Sequence, residues 1–313
     1  MSLPRKNLWK WRSSLTIEKI DVYSEFYDLL AQIPEGFVST YGDLAIQLGD
    51  IVASRAVGEM LSENKDPVRF PCHRVVMSDG TLGGFTHPLG VKEKVDRLKR
   101  DGVIVVNGRI ENFEKIRFRE FRSKFPLKRF RNSIKGIRFR DSDDFPTEMR
   151  AMDISYSGRK GIGVAVDFGK ELSFEIVVRE VKSPYIPNYL YLREGEIYEE
   201  IVEKNRMNII DGNGILHREM KGVATLVGAN RNVSTVGIAK SLLTGEVKGE
   251  KVFVDGLAVG VKCGKYYISP GYRTNVRGSF NILKNSRYFP HTKYPDRISR
   301  RYRDEVLPHQ YSI

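Results

Sequence analysis

The sequence predicts a multidomain protein of the α/β and α+β classes, with a winged-helix-like helix-turn-helix domain first and a sheet-based α/β domain second. Three observations support this fold class. Two short helical patterns joined by a tight turn occupy about residues 41–61, three strand patterns lie between residues 150 and 181, and helical and strand patterns then alternate up to residue 238. A length of 313 residues suits about two domains. We place the boundaries at 1–114 for the first domain, 115–147 for a basic linker and 148–313 for the second domain.

The composition favours a protein that binds a polyanion. Lys and Arg total 52 against 39 Asp and Glu, so the net charge is +13, while a hydrophobic content of 41% excludes a disordered tail protein. The excess positive charge must therefore lie on the surface, where nucleic acid is the natural partner. A protein that is basic without binding nucleic acid is the alternative.

Cysteine usage and the lack of long apolar runs predict the compartment. Only Cys72 and Cys263 occur, so no disulfide framework is expected, and a free thiol implies a reducing compartment. No apolar run approaches the roughly 18 residues of a membrane span, and the segment Met1 to Lys6 lacks the apolar core of a signal peptide. We expect a cytoplasmic protein, monomeric and without a membrane partner.

The segment Pro71 to Val75 places a thiol beside an imidazole, as Cys72 and His73. A thiol reacts as its thiolate, and a neighbouring base makes the thiolate accessible near neutral pH. This pair predicts a nucleophile, and a buried structural cysteine beside a core histidine is the alternative.

The neighbouring segments favour the nucleophile. Upstream, the patterns from Tyr41 and from Ser54 predict two helices of a helix-turn-helix, the second capped by Ser54 and able to enter a DNA groove. Arg55, in that second helix, could fill the space of an extruded base. Downstream, a turn at residues 78–81 precedes the Gly-rich segment 83–86, which predicts a flap near the thiol.

Together, residues of about 20 to 104 resemble the active-site domain of the O6-alkylguanine-DNA alkyltransferases. The resemblance implies irreversible transfer of an O6-alkyl group from a flipped guanine to the cysteine, with no cofactor. It implies these roles: Cys72 as the nucleophile, His73 as the proton relay through water, Asp101 in place of the family's glutamate, Arg55 as the intercalating finger, Tyr41 as the residue that rotates the 3′ phosphate, and Asn64 as the hinge of the cysteine loop. Phe85 stands where the family has a tyrosine.

The predicted linker has a composition of its own. Between Lys115 and Arg140 eleven Lys and Arg face one acid, Glu120, and five Phe residues are interleaved. One interpretation is a linker that lies on DNA, with cations on phosphate and rings on sugar or base. The other is a helix or hairpin that packs its Phe residues between the domains.

In the second domain, strand patterns over residues 150–156, 161–168 and 172–181 predict an antiparallel meander, and the alternation that follows matches a ribonuclease H-like fold. Asp153 lies inside the first apolar strand, Asp211 ends a later one, and Glu194 follows near a helix start. A few carboxylates of this kind, with water and phosphate oxygens, suit Mg²⁺. Asp167 and Asp255 also end apolar strands and are competing candidates.

Four ordered motifs, at residues 152–156, 184–194, 211–217 and 236–240, resemble endonuclease V over about residues 148–300. The resemblance implies a Mg²⁺- or Mn²⁺-dependent enzyme that nicks double-stranded DNA on the 3′ side of deaminated bases, chiefly hypoxanthine, with uracil and xanthine as further targets. It implies these roles: Asp153, Glu194 and Asp211 as metal ligands, Lys240 as support for the reacting phosphate or water, and Pro184, Tyr185, Ile186 and Pro187 as a wedge that holds the duplex open. Asn213 and Tyr272 stand where the family has histidines.

The sequence thus predicts a bifunctional DNA repair enzyme that acts on alkylated and on deaminated bases. One alternative is a non-catalytic protein that binds damage and signals to other factors, against which Cys72 and the three acids argue. Another is that the nuclease acts on inosine-containing RNA, because a preference for the 2′-hydroxyl cannot be read from these residues.

Overall fold

The structure, a computed structural model, describes residues 17–305. The segment Met1 to Lys6, on which the absence of a signal peptide was predicted, lies outside the described residues. Within residues 17–305 no helix combines the length and the apolar character needed to cross a membrane.

The N-terminal module (residues 17–114) is mainly helical. Its helices, with the one that follows it, are α1 (Val22–Leu30), α2 (Tyr41–Leu48), α3 (Ser54–Ser62), α4 (Gly90–Arg100), α5 (Phe113–Ile116) and α6 (Pro126–Ile134). Its strands are β1 (Ser39–Thr40), paired parallel with β2 (Val75–Val76), and β3 (Val105–Val106), paired antiparallel with β4 (Arg109–Ile110).

The two predicted helices of the helix-turn-helix are α2 and α3. Helix α2 begins at a capping box, in which the Thr40 hydroxyl accepts the Asp43 amide and the Asp43 carboxylate accepts the Thr40 amide. It ends at Gly49, whose φ of +110° favours glycine, and a β-carbon there would lie 2.8 Å from the amide nitrogen of Lys128 in α6. Glycine therefore both terminates α2 and lets α6 approach the turn.

The predicted N-cap of α3 was wrong. A 3₁₀ turn at Ile51–Ala53, capped by the Asp50 side chain, precedes α3 and already supplies a helical entry. Ser54 is the first residue of the helix, and its hydroxyl donates to the Ile51 carbonyl instead of accepting an amide. Because the preceding turn is helical, no separate cap is needed at this position.

The C-terminal module (residues 148–305) is built on a mixed nine-stranded sheet. Its strands are β5 (Met149–Ser157), β6 (Lys160–Phe168), β7 (Leu172–Glu180), β8 (Met207–Asp211), β9 (Thr235–Ala239), β10 (Glu246–Lys248), β11 (Lys251–Val254), β12 (Leu257–Cys263) and β13 (Tyr266–Tyr272). They lie in the order β10-β11-β12-β13-β9-β8-β5-β6-β7. Strands β5, β8 and β9 are parallel neighbours and the other pairs are antiparallel.

The predicted meander is confirmed as β5 to β7, and the two later predicted strands appear as β8 and β9. In the antiparallel half from β10 to β13, the apolar strand that Asp255 closes was predicted and appears as β11, whereas β10, β12 and β13 were not predicted as strands. The helices of this module are α7 (Leu190–Ile201), α8 (Val223–Arg231), α9 (Val276–Lys284) and α10 (Lys293–Glu305).

Helices cover both faces of the sheet. On β5 the side chain of Met152 packs with α7 and α8, while its neighbour Ala151 packs with the residues of α9 and α10 on the opposite face. Helix α7 lies very close to β6, since a β-carbon at Gly163 would lie 2.3 Å from Ile197. The absence of a side chain at Gly163 therefore allows α7, the helix that carries Glu194, to pack this close to the sheet.

The two modules share one hydrophobic core. It combines side chains of α1 to α3 with those of α6 and of the C-terminal module, among them Phe26, Leu44, Met60, Leu127, Phe130, Ile186, Tyr189 and Leu226. Polar contacts close the boundary: the Val22 amide donates to the Lys182 carbonyl at 2.8 Å, and the Tyr189 hydroxyl donates to Asp50 at 2.8 Å.

The Phe residues of the basic segment pack on protein. Phe130 is buried in the shared core. Phe118 and Phe121 contact each other edge to face and pack against that core, and Phe139 packs against a small cluster around Ile215. Of the two interpretations of this segment, the packing of the rings agrees with the second. Its cations remain at the surface, and the domain boundaries stay a prediction.

Candidate active sites

Cys72 begins a 3₁₀ turn that runs to Arg74 and leads into β2. The Asn64 side chain donates to the Phe70 carbonyl at 2.8 Å, and the Cys72 amide donates to the same carbonyl at 2.8 Å. Asn64 therefore holds the loop that presents the thiol, which is the place the sequence predicted for it. Cys72 and Cys263 are both free and partly exposed.

A carboxylate orients the imidazole beside the thiol. His73 is buried, and its Nε2 lies 2.9 Å from Asp101 Oδ2, which also accepts from Arg74 Nε at 2.5 Å. The shorter aspartate thus still reaches the histidine, because it sits at the end of α4. Burial lowers the pKa of His73, and the hydrogen bond and charge of Asp101 oppose this only in part. The ring is therefore neutral at pH 7.

A cavity of about 340 Å³ opens beside Cys72. Its walls include Tyr41 of α2, Gly58 of α3 and Phe85 of the predicted flap. Gly58 has no side chain to close the cavity against α3, and Arg97 lies 5.7 Å from the Phe85 ring. The polar and aromatic walls suit a flat heterocyclic base. Arg55 is exposed in the first turn of α3, on the outer surface of the helix.

Lys94 is a residue of this site that the sequence did not single out. It is buried on α4, and its ammonium group donates to the Val75 carbonyl at 2.6 Å and the Leu82 carbonyl at 2.5 Å, with the Gly84 carbonyl at 3.4 Å. Burial lowers its pKa to about 8. Lys94 thus ties the flap to the strand that follows the thiol. A lysine among charged neighbours in a helical pattern carries no signal of burial.

In the C-terminal module the predicted acids converge at one edge of the sheet. Asp153 lies one residue past the Met152–Ile210 pair of β5 and β8, which places it beside Asp211. Glu194 is buried on α7, and Lys240 directly follows β9. Parallel strands end at the same edge, so these side chains gather there.

Burial and mutual repulsion of the carboxylates shift the pKa values in this cluster. Burial, and next the charge of Asp211, hold the pKa of Asp153 well above its usual range. Burial raises the pKa of Glu194 to about 7, although a hydrogen bond from Tyr156 opposes the rise. Burial lowers the pKa of Lys240, but its hydrogen bond to Asp211, at 2.6 Å, and the charges of the nearby acids together outweigh burial, so this pKa is raised.

The three acids lie near one another, but their carboxylate oxygens are not arranged around a common centre. Within residues 17–305 no three His, Cys, Asp or Glu side chains are arranged to hold a metal ion as they stand. Asp211 is engaged by Lys240, and Glu194 accepts the hydroxyl of Tyr156. The competing candidates lie elsewhere: Asp167 pairs with Arg150 at 2.8 Å, and Asp255 occupies the turn after β11.

Asp296, in the first turn of α10, is a second residue that the sequence did not single out. Its charge acts on Asp153, whose pKa is raised by burial first, and on Lys240. Its carboxylate accepts from Arg300 at 2.9 Å. The signal in the sequence is the Pro-Asp pair at the start of a basic helix, since proline and acidic residues favour the first turn of a helix.

The predicted wedge is only partly exposed. The side chain of Tyr185 is 53% exposed, whereas Pro184 is buried and Ile186 is fully buried in the shared core. Pro187 is half-buried. The N-terminal module thus packs against the buried side of this segment, and Tyr185 is its most exposed side chain.

The chain belongs to the endonuclease V family, whose model matches residues 135–300. The model described as 6-O-methylguanine DNA methyltransferase, DNA binding domain, matches residues 21–103, so the chain is a fusion of the two, as its sequence predicted.

More particularly, it is 42% identical to a bifunctional methyltransferase/endonuclease of Thermoplasma volcanium, over 87% of this chain and 86% of the relative. It is also 42% identical to one of Picrophilus torridus, over 86% and 91%. The chain therefore belongs to the family of these bifunctional proteins. The crystal structure of endonuclease V from Streptomyces avermitilis shares the fold, with a TM-score of 0.51 and 18% identity over 59% of this chain and 95% of that one.

Proposed function

We propose that the protein repairs two kinds of damaged base in double-stranded DNA: it transfers O6-alkyl groups from guanine to Cys72, and it nicks the strand 3′ to hypoxanthine and other deaminated bases with Mg²⁺ or Mn²⁺. The observation that carries the proposal is that each module brings its predicted residues together. Cys72 opens into a base-sized cavity beside the His73–Asp101 pair, and the three acids meet Lys240 at one sheet edge.

For alkyl transfer, the geometry supports a proton relay. Nε2 of His73 is hydrogen-bonded to Asp101, whereas Nδ1 is buried with no partner among residues 17–305, so Nδ1 is the nitrogen left to exchange a proton with Cys72 through water. The thiolate attacks the alkyl carbon, the S–C bond forms as the bond from carbon to O6 breaks, and the thiol's proton balances the charge left on guanine. Asn64 and Lys94 hold the thiol loop and the flap in place.

For strand nicking, the donor set fits a hard divalent cation. Carboxylate oxygens are the ligands that Mg²⁺ prefers, and the like charges of Asp153, Glu194 and Asp211 at a buried edge favour a compensating cation. Such a cation, when bound, activates water and neutralises the leaving oxygen. Lys240 remains charged and lies within reach of the same edge, where it would contact the reacting phosphate. Tyr185 would enter the duplex, and the negative charge of Asp296 would help to keep Lys240 protonated.

Two finer features of the fold belong to this proposal. The order β7-β6-β5-β8-β9, with the last three parallel, supports a ribonuclease H-like arrangement. The β3–β4 hairpin, which follows α4 and packs against it, supports the winged-helix comparison. We also infer a cytoplasmic, reducing environment, because Cys72 must stay a thiol.

The test is the separation of the two activities by point substitution. Cys72→Ala should abolish transfer from O6-methylguanine DNA and leave Mg²⁺-dependent nicking of inosine DNA intact. Asp211→Ala should abolish nicking and leave alkyl transfer intact. Nicking on the 5′ side, or nicking that needs no divalent metal, would contradict the proposed nuclease, and transfer by Cys72→Ala would contradict the proposed acceptor.

A further inference from the structure

We propose that Glu59, a residue of the N-terminal module, positions the carboxylate of Glu194 in the nuclease site through Arg193 and Tyr156. The N-terminal module would thus complete the second site rather than only accompany it. This inference rests on the proposed nuclease function, and it assigns a role to a helix, α3, whose expected task is DNA binding for alkyl transfer.

The first contact crosses the boundary between the modules. Glu59 Oε1 lies 3.6 Å from Arg193 Nη1, and the side chain of Arg193 is only 12% exposed. The Glu59 side chain is 39% exposed, so the pair is partly buried and is screened less than one between two fully exposed side chains. Arg193 directly precedes Glu194 in α7, so a shift of this arginine moves the backbone that carries the acid.

The second contact leads from Arg193 to the acid. The guanidinium carbon of Arg193 lies 4.0 Å from the centre of the Tyr156 ring, and the Tyr156 hydroxyl donates to Glu194 Oε1. A planar guanidinium stacks on an aromatic ring and fixes its orientation. Tyr156 therefore holds Oε1 of Glu194, and a second hydroxyl, that of Tyr198, also hydrogen-bonds this carboxylate.

Glu59 also decides where the charge of Arg193 points. The arginine has two acids within reach, since its charge acts on Glu194 as well as on Glu59. With Glu59 in place, the guanidinium stays over the tyrosine ring. Without Glu59, Glu194 is the remaining carboxylate, and an ion pair between Arg193 and Glu194 would compete with a bound cation.

Helix α3 can act as a rigid support for Glu59. The face of α3 that points away from Glu59 is fully buried, because Val57 and Met60 lie in the core that also contains Ile186 and Tyr189. The position of Glu59 is therefore set by packing that includes both modules. Arg55 precedes Glu59 by one helical turn, so the proposed DNA finger and the proposed positioning residue share one helix.

The experiment compares Glu59→Gln with a matched control in the full chain. Glutamine keeps the shape of the side chain and removes its charge. Mn²⁺ binding in the absence of DNA is measured from the loss of the free-ion signal in electron paramagnetic resonance, and single-turnover nicking of inosine DNA is titrated with Mg²⁺. We expect Glu59→Gln to weaken Mn²⁺ binding about 3- to 10-fold and to raise the half-saturating Mg²⁺ concentration equally, with the KM for DNA unchanged. This effect is smaller than the roughly 10- to 100-fold loss typical of residues that contact a metal ligand directly, because Glu59 acts on Glu194 through two other residues.

The control is Glu219→Gln, which removes another ion pair across the boundary, from Arg131 at 2.5 Å, that does not lead to the acids. A loss of stability alone would affect both variants in the same way, and thermal unfolding records it. Glu59→Asp, which keeps the charge, should lie nearer to the wild type than Glu59→Gln.

The possible outcomes distinguish failure of the positioning role of Glu59 from failure of the proposed nuclease function. Equal Mn²⁺ binding and equal Mg²⁺ dependence in wild type and Glu59→Gln would overturn the positioning role while the nuclease proposal stands. A matching loss in Glu219→Gln would also overturn it. A wild-type chain that neither binds Mn²⁺ nor nicks inosine DNA would overturn the proposed nuclease itself.

Discussion

Replacing Ile186 by alanine tests whether the two modules unfold as one body. Ile186 belongs by sequence to the predicted wedge of the nuclease, yet its side chain is fully buried among residues of α1 to α3 and α6. Removing this side chain therefore leaves a cavity in a core to which both modules contribute. The separable activities of point variants at the two sites do not require separable folding.

The expected magnitude follows from the burial. An isoleucine truncated to alanine in a closed core loses about 2–5 kcal/mol of stability. For modules of this size each kcal/mol lowers Tm by roughly 2–4 °C, so the Tm of the chain should fall by roughly 4–20 °C. Because the core is shared, this fall should apply to both modules together.

The assay is differential scanning calorimetry of the full chain, with both activities measured after brief heating. We expect one transition in the wild type and one, shifted down, in Ile186→Ala, with alkyl transfer and nicking lost at the same temperature. Tyr185→Ala, at the neighbouring residue, is the control: Tyr185 is 53% exposed, so Tm should change little while nicking falls. Two resolved transitions, of which only one moves, would refute the reasoning.

Three further outcomes are expected. Because burial lowers the pKa of His73, the ring stays neutral as pH falls through about 6.5, so alkyl transfer should persist at that pH and decline only below it. Asp101→Asn removes a group that raises this pKa, so it should move the decline to lower pH while slowing transfer roughly 10²-fold. A decline centred above pH 6.5 in the wild type would contradict this prediction. Asp296→Asn should slow single-turnover nicking about 10- to 100-fold without changing alkyl transfer, and an unchanged rate would remove Asp296 from the site. Glutamine at four exposed cations of the basic segment should weaken DNA binding for all sequences and lower the slope of log K against log salt by about 3 to 4, and an unchanged slope would mean that these cations do not meet phosphate. The four are Lys124, Lys128, Lys135 and Arg138.

Much of the fold and of the two sites can be predicted from local sequence. Short runs rich in apolar and β-branched residues predict β5 to β9, because such residues favour strands and a strand covered on both faces is apolar along its length. The family motifs predict Cys72, His73 and the three acids, and the structure gathers each set. The local pattern was misleading at Ser54, where a preceding 3₁₀ turn replaced the cap.

Other features depend on contacts between residues far apart in the chain. Lys94 and Asp296 sit in basic helical segments whose pattern is that of a solvated surface, and only packing brings them to a thiol loop and a sheet edge. The Phe residues of the basic segment could lie on DNA or on protein, and the shared core decided for protein.

The relation between the modules is the clearest case. Ile186 and Glu59 belong to motifs that predict contacts with DNA, and the sequence alone indicates two independent units. In the folded chain, Ile186 is buried by the N-terminal module, and Glu59 pairs with Arg193 across the boundary between the modules. A motif records the local chemistry of a short segment, whereas burial and ion pairing depend on which distant surfaces the chain brings together, so only the tertiary structure decides them.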